Sequence, residues 1–330
     1  MTWAFVLSLL SPALGWSQQL LVFPALTDEL PGLHGSLWVT NVRLVAASPE
    51  AEDIDTRRAW VCLEGGGFED DAGSAPNWGL GGDDRVLVLT GGDLLNAAGQ
   101  VGAVGLEVDG GELIAHAYIA DVRYGDSSSG LGGPWAFGQG QLVPAIREPL
   151  VGPSHIPWLG GCRNLPCSQD PPEQWDYLRN NIGLVNPNPE PMTFEGTVIP
   201  FGFLVSDPPG GIVELPQDPP ETFTKTVPAY GWLQFRWEAT LEYEPGTTSG
   251  FIGPPANGFI VSLIPDSDQP YYAYASVVFT PDPASGDPEF NDPMFVPAEP
   301  GFIAPMGWEQ PGAHEIREDQ APAAEEGALE

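Results

Sequence analysis

The apolar runs of this chain are short, and glycines and prolines are scattered between them. There are 41 Gly and 37 Pro in 330 residues, scattered without a collagen-like period, so they act as turn punctuation between short extended segments. No stretch longer than about two turns keeps apolar residues at helical spacing without a Gly, Pro or β-branched interruption. The best short helical candidate is 93–98. Hydrophobic residues at 42% and aromatics at 10% supply enough apolar surface to offset conformational entropy, which separates this chain from acidic disordered ones. The expectation is an all-β protein.

Five segments recur in the same order in two halves of the chain, the mark of an internal repeat. Thr40-Asn41-Val42-Arg43-Leu44-Val45 matches Asn180-Asn181-Ile182-Gly183-Leu184-Val185, each before a Pro-containing turn. Trp60-Val61-Cys62-Leu63 matches Thr197-Val198-Ile199-Pro200, and Val86-Leu87-Val88-Leu89 is set beside Thr226-Val227 with its Pro228 turn. In the fourth pair, 101–108 is expected to form a hairpin with 113–122 across Asp109-Gly110, a dipeptide suited to tight turns. Its counterpart joins 258–264 to 271–280 across Pro265-Asp266-Ser267-Asp268, and Ala115-His116-Ala117 falls opposite Ala273-Tyr274-Ala275. The fifth pair is Leu142-Val143-Pro144-Ala145 and Phe295-Val296-Pro297-Ala298.

This pattern places one domain at 20–148 and a second at 153–298, with a Pro- and Gly-rich linker over 149–176. Each half offers about seven short strands, the signature of an antiparallel β-sandwich of immunoglobulin-like type. The chain thus reads as two tandem sandwiches related by internal duplication. Strands 113–122 and 271–279 are apolar on both faces and are expected to be central. After Ala298 the composition turns to Pro, Ala and Glu, so 299–330 is expected to be a disordered acidic tail, with Phe302 and Trp308 as candidates to dock back onto the second domain.

Residues 1–17 have the shape of a signal peptide, with an apolar run over 3–10 and small residues at Gly15 and Ser17 that suit cleavage before Gln18. The run is too short to span a bilayer, no cysteine follows it, and no later segment looks transmembrane. A secreted, extracellular or periplasmic protein is expected. Cys162 and Cys167 sit five apart in a Pro-containing loop, where an exported protein would close a small disulfide loop. A zinc site needs two more ligands nearby, and the nearest histidine is His155. Cys62, between Val61 and Leu63, reads as a buried free thiol.

The net charge of -34 comes from 45 acids against 11 bases. No basic patch exists to displace phosphate counterions, so nucleic acid is excluded as a partner, and an anionic membrane surface is disfavoured. An extracellular protein or glycan remains. The plain explanation of the acidity is a solvated surface.

Calcium is the one cofactor with a positional case. Asp282, Asp287, Glu289 and Asp292 share one loop, and Asp266 and Asp268 share a turn; hard oxygen ligands on turns suit calcium. Neither run has EF-hand spacing, and a solvated loop is the competing explanation. No catalytic motif stands out: there is no Gly-x-Ser-x-Gly elbow, His-Glu-x-x-His pair or phosphate loop. Of the four histidines, His116 lies in an apolar strand and reads as a sheet-face residue. Carboxylate pairs drawn from 45 acids carry no information. Trp135, Phe137, Trp158, Tyr271, Tyr272 and the Trp232–Trp237 strand form a platform for sugar rings or a partner if exposed, and core if buried.

The stretches Gly35-Ser36-Leu37-Trp38-Val39-Thr40-Asn41, Arg179-Asn180-Asn181-Ile182-Gly183-Leu184-Val185-Asn186-Pro187 and Tyr272-Ala273-Tyr274-Ala275-Ser276-Val277-Val278 with Gly286-Asp287-Pro288 resemble uncharacterised secreted bacterial proteins with tandem immunoglobulin-like modules. The resemblance implies a fold and no activity. The function expected is therefore a non-enzymatic structural or adhesive module acting through acidic sandwich edges and loops. The alternative is a secreted carbohydrate-binding or carbohydrate-cleaving protein, calcium-stabilised.

Overall fold

The structure is a computed structural model that describes residues 19–31, 37–47, 53–70, 74–81, 85–96, 99–121, 140–160, 177–201, 205–207, 211–213, 220–237, 258–280 and 294–303. Among them the fold is almost wholly β. The first half contains β1 (Gln19–Thr27), β2 (Leu30–Pro31), β3 (Leu37–Ala46), β4 (Ile54–Leu63), β5 (Phe68–Glu69), β6 (Asn77–Leu80), β7 (Val86–Thr90), α1 (Gly91–Leu95), β8 (Val101–Asp109), β9 (Leu113–Asp121) and β10 (Gly140–Pro144). The second contains β11 (Ser154–Gly160), β12 (Tyr177–Asn186), β13 (Met192–Phe201), β14 (Val205–Asp207), β15 (Gly211–Val213), β16 (Glu221–Val227), β17 (Gly231–Trp237), β18 (Gly258–Pro265), β19 (Tyr272–Thr280), β20 (Met294–Pro297) and β21 (Glu299–Pro300).

Four layers of sheet are stacked. The first is β10-β9-β3 with β7 and β2 on β3; the second is β1-β8-β4, the third β17-β12-β19-β20, and the fourth β16-β13-β18-β11-β21. The second and third layers belong to one sheet, joined where Gly231 of β17 bridges Leu63 of β4 in parallel. That sheet folds back on itself at this seam, because the two wings pack against each other. Alternation of side chains puts Val42, Leu44, Leu113, Ala117 and Val143 of the first layer against Leu21, Phe23, Val104 and Leu106 of the second. A separate core lies between the third and fourth layers, around Ile182, Leu184, Phe194, Val261, Leu263 and Ala275.

The strands pair in the same order in both halves. β1-β8-β4 corresponds to β11-β18-β13, and β10-β9-β3-β7 corresponds to β20-β19-β12-β17. Register agrees as well. Arg43 faces His116, which faces Pro144; Gly183 faces Tyr274, which faces Pro297. The bridge Val22 to Ile146 corresponds to His155 facing Glu299.

Several expectations change. The expected hairpins 101–108 with 113–122 and 258–264 with 271–280 do not form: β8 pairs β1 and β4 while β9 pairs β3 and β10, and β18 pairs β11 and β13 while β19 pairs β12 and β20. Each connection crosses between layers, so Asp109-Gly110 turns the chain over an edge rather than within a ladder. The counterpart of Val86–Leu89 is Trp232–Phe235 on β17, since both strands pair the same register of β3 and β12, and not Thr226-Val227.

Glu299 and Pro300, read as the start of a tail, pair with β11, and Gly301 N–H donates to the Pro153 carbonyl. Ser154–Gly160, which falls in both the linker range 149–176 and the second-domain range 153–298, is a strand of the fourth layer. The helix starts two residues before the expected 93–98 and ends at Leu95, because Thr90 and Asp93 form a capping box and Asn96 closes it at φ 56°.

One repeated segment escaped the sequence comparison. Phe23-Pro24-Ala25-Leu26 and Ile156-Pro157-Trp158-Leu159 each insert one extra residue against corresponding partner strands, β8 and β18, with register slipping between Phe23 and Leu26 and between Ile156 and Leu159. Proline has no N–H to give the ladder, so a bulge there leaves no acceptor stranded.

Candidate binding surface

The residues read as chemical candidates divide into two groups. Asp282, Asp287, Glu289 and Asp292, the disulfide pair Cys162 and Cys167, the leader at 1–17, Trp135, Phe137 and Trp308 lie outside the described residues. Among the described residues no three His, Cys, Asp or Glu side chains gather to hold a metal, and no helix is long and apolar enough to cross a membrane. Asp266 is a turn residue: its carboxylate accepts from Thr193 N–H at 3.0 Å, and its own N–H donates to the Thr193 carbonyl at 2.9 Å.

The second group went inside. Tyr271, Tyr272, Tyr274 and Trp232 are buried, which overturns an exposed aromatic platform at 271–272 and 232. The polar tips of Tyr271, Tyr274 and Trp232 each have a structural partner. Tyr271 hydroxyl bonds with Gly152 O at 2.9 Å and Ser154 Oγ at 2.7 Å, Tyr274 donates to Gln234 Oε1 at 3.0 Å, and Trp232 Nε1–H donates to Pro24 O at 2.9 Å. Burial raises the pKa of all three tyrosines, Tyr271 to about 12. Cys62 is a buried free thiol as expected. Its S–H donates to the Asn186 carbonyl at 3.4 Å, and burial pushes its pKa up, which makes it inert.

Beyond these candidates the structure presents a surface. Val86, Val88, Ile114 and Leu142 are 54%, 41%, 57% and 57% exposed. They share the outer face of the first layer, as the register shows: Val86 faces Val45, which faces Ile114; Val88 faces Arg43, which faces His116; Tyr118 faces Leu142. Pro144, facing His116, extends the face. Arg43 is exposed at its centre. Partial burial and then the neighbouring Arg43 charge lower the His116 pKa, so His116 is neutral here at physiological pH. The strand β9 is central, as its apolar character implied, but only one of its faces is covered.

Sequence reasoning missed this face because apolar residues on both sides of a strand read as doubly buried. The available signal was Val86-Leu87-Val88-Leu89, where alternation should have put polar residues outside. A sandwich usually keeps its outer faces polar, and a contiguous apolar patch marks a contact site. Compared with protein-family models and with curated proteins, the chain matches none.

Proposed function

We propose that this chain is a secreted, non-enzymatic structural or adhesive protein. It consists of two immunoglobulin-like sandwiches that arose by internal duplication and are fused face to face. Shared pairing order, shared register and the matching proline bulges support the duplication. The observation that carries the functional reading is the apolar outer face around Arg43, in a chain whose net charge is -34. The remaining acidic edges and loops keep the molecule solvated and resist unspecific association.

Retention of the full chain on a panel of purified polysaccharides and matrix proteins tests the proposal. The wild type should be retained by at least one of them, and Ile114→Asp with Leu142→Asp should abolish retention while leaving the circular-dichroism spectrum unchanged. Retention indifferent to both substitutions, or release of sugar ends from any polysaccharide, overturns it.

A further inference from the structure

The two halves are stacked in one direction. By pairing order the third layer corresponds to the first, and the fourth to the second. The contact at the middle of the molecule therefore joins two different patches, the outer face of the third layer and the outer face of the second. Trp232, Tyr272 and Tyr274 of the third layer enter the first core, where Trp60 and Cys62 of the second layer also lie, and the Trp60 and Tyr272 rings are 6.2 Å apart. A front-to-back contact of this kind leaves one patch of each type unused at the ends of the stack.

The unused front is the Arg43 face. Val86, Ile114, His116 and Leu142 occupy the register positions that Trp232, Tyr272, Tyr274 and Phe295 occupy in the buried contact. The unused back is the outer face of the fourth layer. There Thr197, Ile199 and Ile260 are half-buried where the second layer has Trp60, Cys62 and Ala103. Ser262, outward on the central strand β18, is buried and donates to the Ile303 carbonyl at 2.6 Å, so residues 301–303 cross the middle of this face and leave Thr197, Ile199 and Ile260 beside them.

Charge makes the two ends complementary. Within the paired strands of the front, Arg43 and His116 are the ionisable groups besides the Tyr118 phenol; the carboxylate at its rim, Glu112, two residues before Ile114, is paired with Arg147. The back presents Glu195 exposed on β13, with Glu299 beside His155. At a net charge of -34 most other pairings of two copies set acid against acid.

We infer that a second copy of this chain seats the back of its fourth layer on the Arg43 face, repeating between molecules the contact that joins the halves within one. This names the partner of the surface proposed above and rests on that reading. Because the two patches differ, the contact does not close at two copies and grows into a ring or a file.

Sedimentation velocity of the full chain over rising concentration, at physiological ionic strength, tests the inference. The wild type should grow beyond a dimer. Ile114→Asp or Leu142→Asp on the front, and Ile199→Asp on the back, should each stay monomeric alone. An equimolar mixture of Ile114→Asp and Ile199→Asp should give dimers and nothing larger, since each copy keeps one intact patch. Arg43→Glu should weaken association about tenfold or more, and mixing it with Glu195→Arg should restore it.

A wild type that stays monomeric at every soluble concentration overturns the inference. So does Ile199→Asp dimerising alone, which assigns the face to a symmetric self-contact. If the wild type is monomeric yet its retention on a polysaccharide or matrix protein is lost in Ile114→Asp, self-assembly fails and the contact-surface reading stands; retention indifferent to that substitution removes both.

Discussion

The indole N–H of Trp232 reaches across the seam between the halves and donates to the carbonyl oxygen of Pro24 at 2.9 Å. The acceptor belongs to the proline bulge of β1, whose extra residue interrupts the regular ladder at that point. Trp232→Phe keeps most of the packing but strands a buried carbonyl, at a cost of about 1–3 kcal/mol. Trp232→Ala also removes the ring and should cost about 3–5 kcal/mol. Since Trp232 enters the first core while Leu233 and Phe235 pack on the second, urea unfolding of the wild type should show one transition. Two resolved transitions would mean that the seam does not couple the halves.

Gly183 and Tyr274 are cross-strand neighbours in which the small residue exists for the large one. A Cβ at Gly183 would lie 2.1 Å from the Tyr274 ring, and that ring is fully buried. Gly183→Ala should therefore destabilise by about 1–3 kcal/mol through overpacking. Gly79→Ala is the control, as its nearest contact, at 3.6 Å, is ordinary; it should be neutral or slightly stabilising by reducing unfolded-state freedom. Equal losses in chemical denaturation would remove the steric explanation.

What could be read from the residues was the order of the strands, and what could not was the sheet each one joins. Arg43 and Gly183, His116 and Tyr274, Pro144 and Pro297 had already been aligned by sequence, and the register brings each trio together. Local turn chemistry misled at Asp109-Gly110, because a tight turn does not specify whether the next strand stays in the sheet or crosses the core. Val86–Leu89 and Trp232–Phe235 share a position but not a pattern, since one face of the first is open and the same face of the second is covered. The Arg43 surface was hidden for the same reason: sequence reports apolarity, and only packing reports which apolar residues lack a neighbour.

Alkali should unfold the protein earlier than acid-rich composition alone suggests. Tyr271, Tyr272, Tyr274 and Cys62 have pKa values raised, each chiefly by burial. For a group whose folded pKa is raised above its unfolded value, the stabilising contribution is whole below the unfolded pKa and is lost as pH rises toward the folded one. The urea midpoint should stay level from neutrality to about pH 8.5, the ordinary thiol range, and fall steeply above about pH 10, the ordinary phenol range. Three of the eight tyrosines should gain phenolate absorbance only as the chain unfolds. Phenolate absorbance from all of them in the folded state would contradict the burial.

Two adjacent arginines on β4 should differ sharply in what their loss does. Arg57 pairs with Glu107 where both are about one-third exposed, so Arg57→Ala should cost no more than about 1 kcal/mol. Arg58 is 3% exposed. It pairs with Asp70 through two nitrogens, donates to the Leu94 carbonyl at 2.8 Å, and lies over the Phe68 ring. It thereby satisfies a last-turn carbonyl of α1, which has no basic residue of its own there. Asp70→Ala leaves that guanidinium buried without its counter-charge and should cost about 3–5 kcal/mol, whereas replacing both partners by apolar residues, Arg58→Met with Asp70→Leu, should cost less than the single change. A denaturation cycle over these variants decides the matter: if Asp70→Ala is as mild as Arg57→Ala, the ion pair is solvated and α1 does not depend on it.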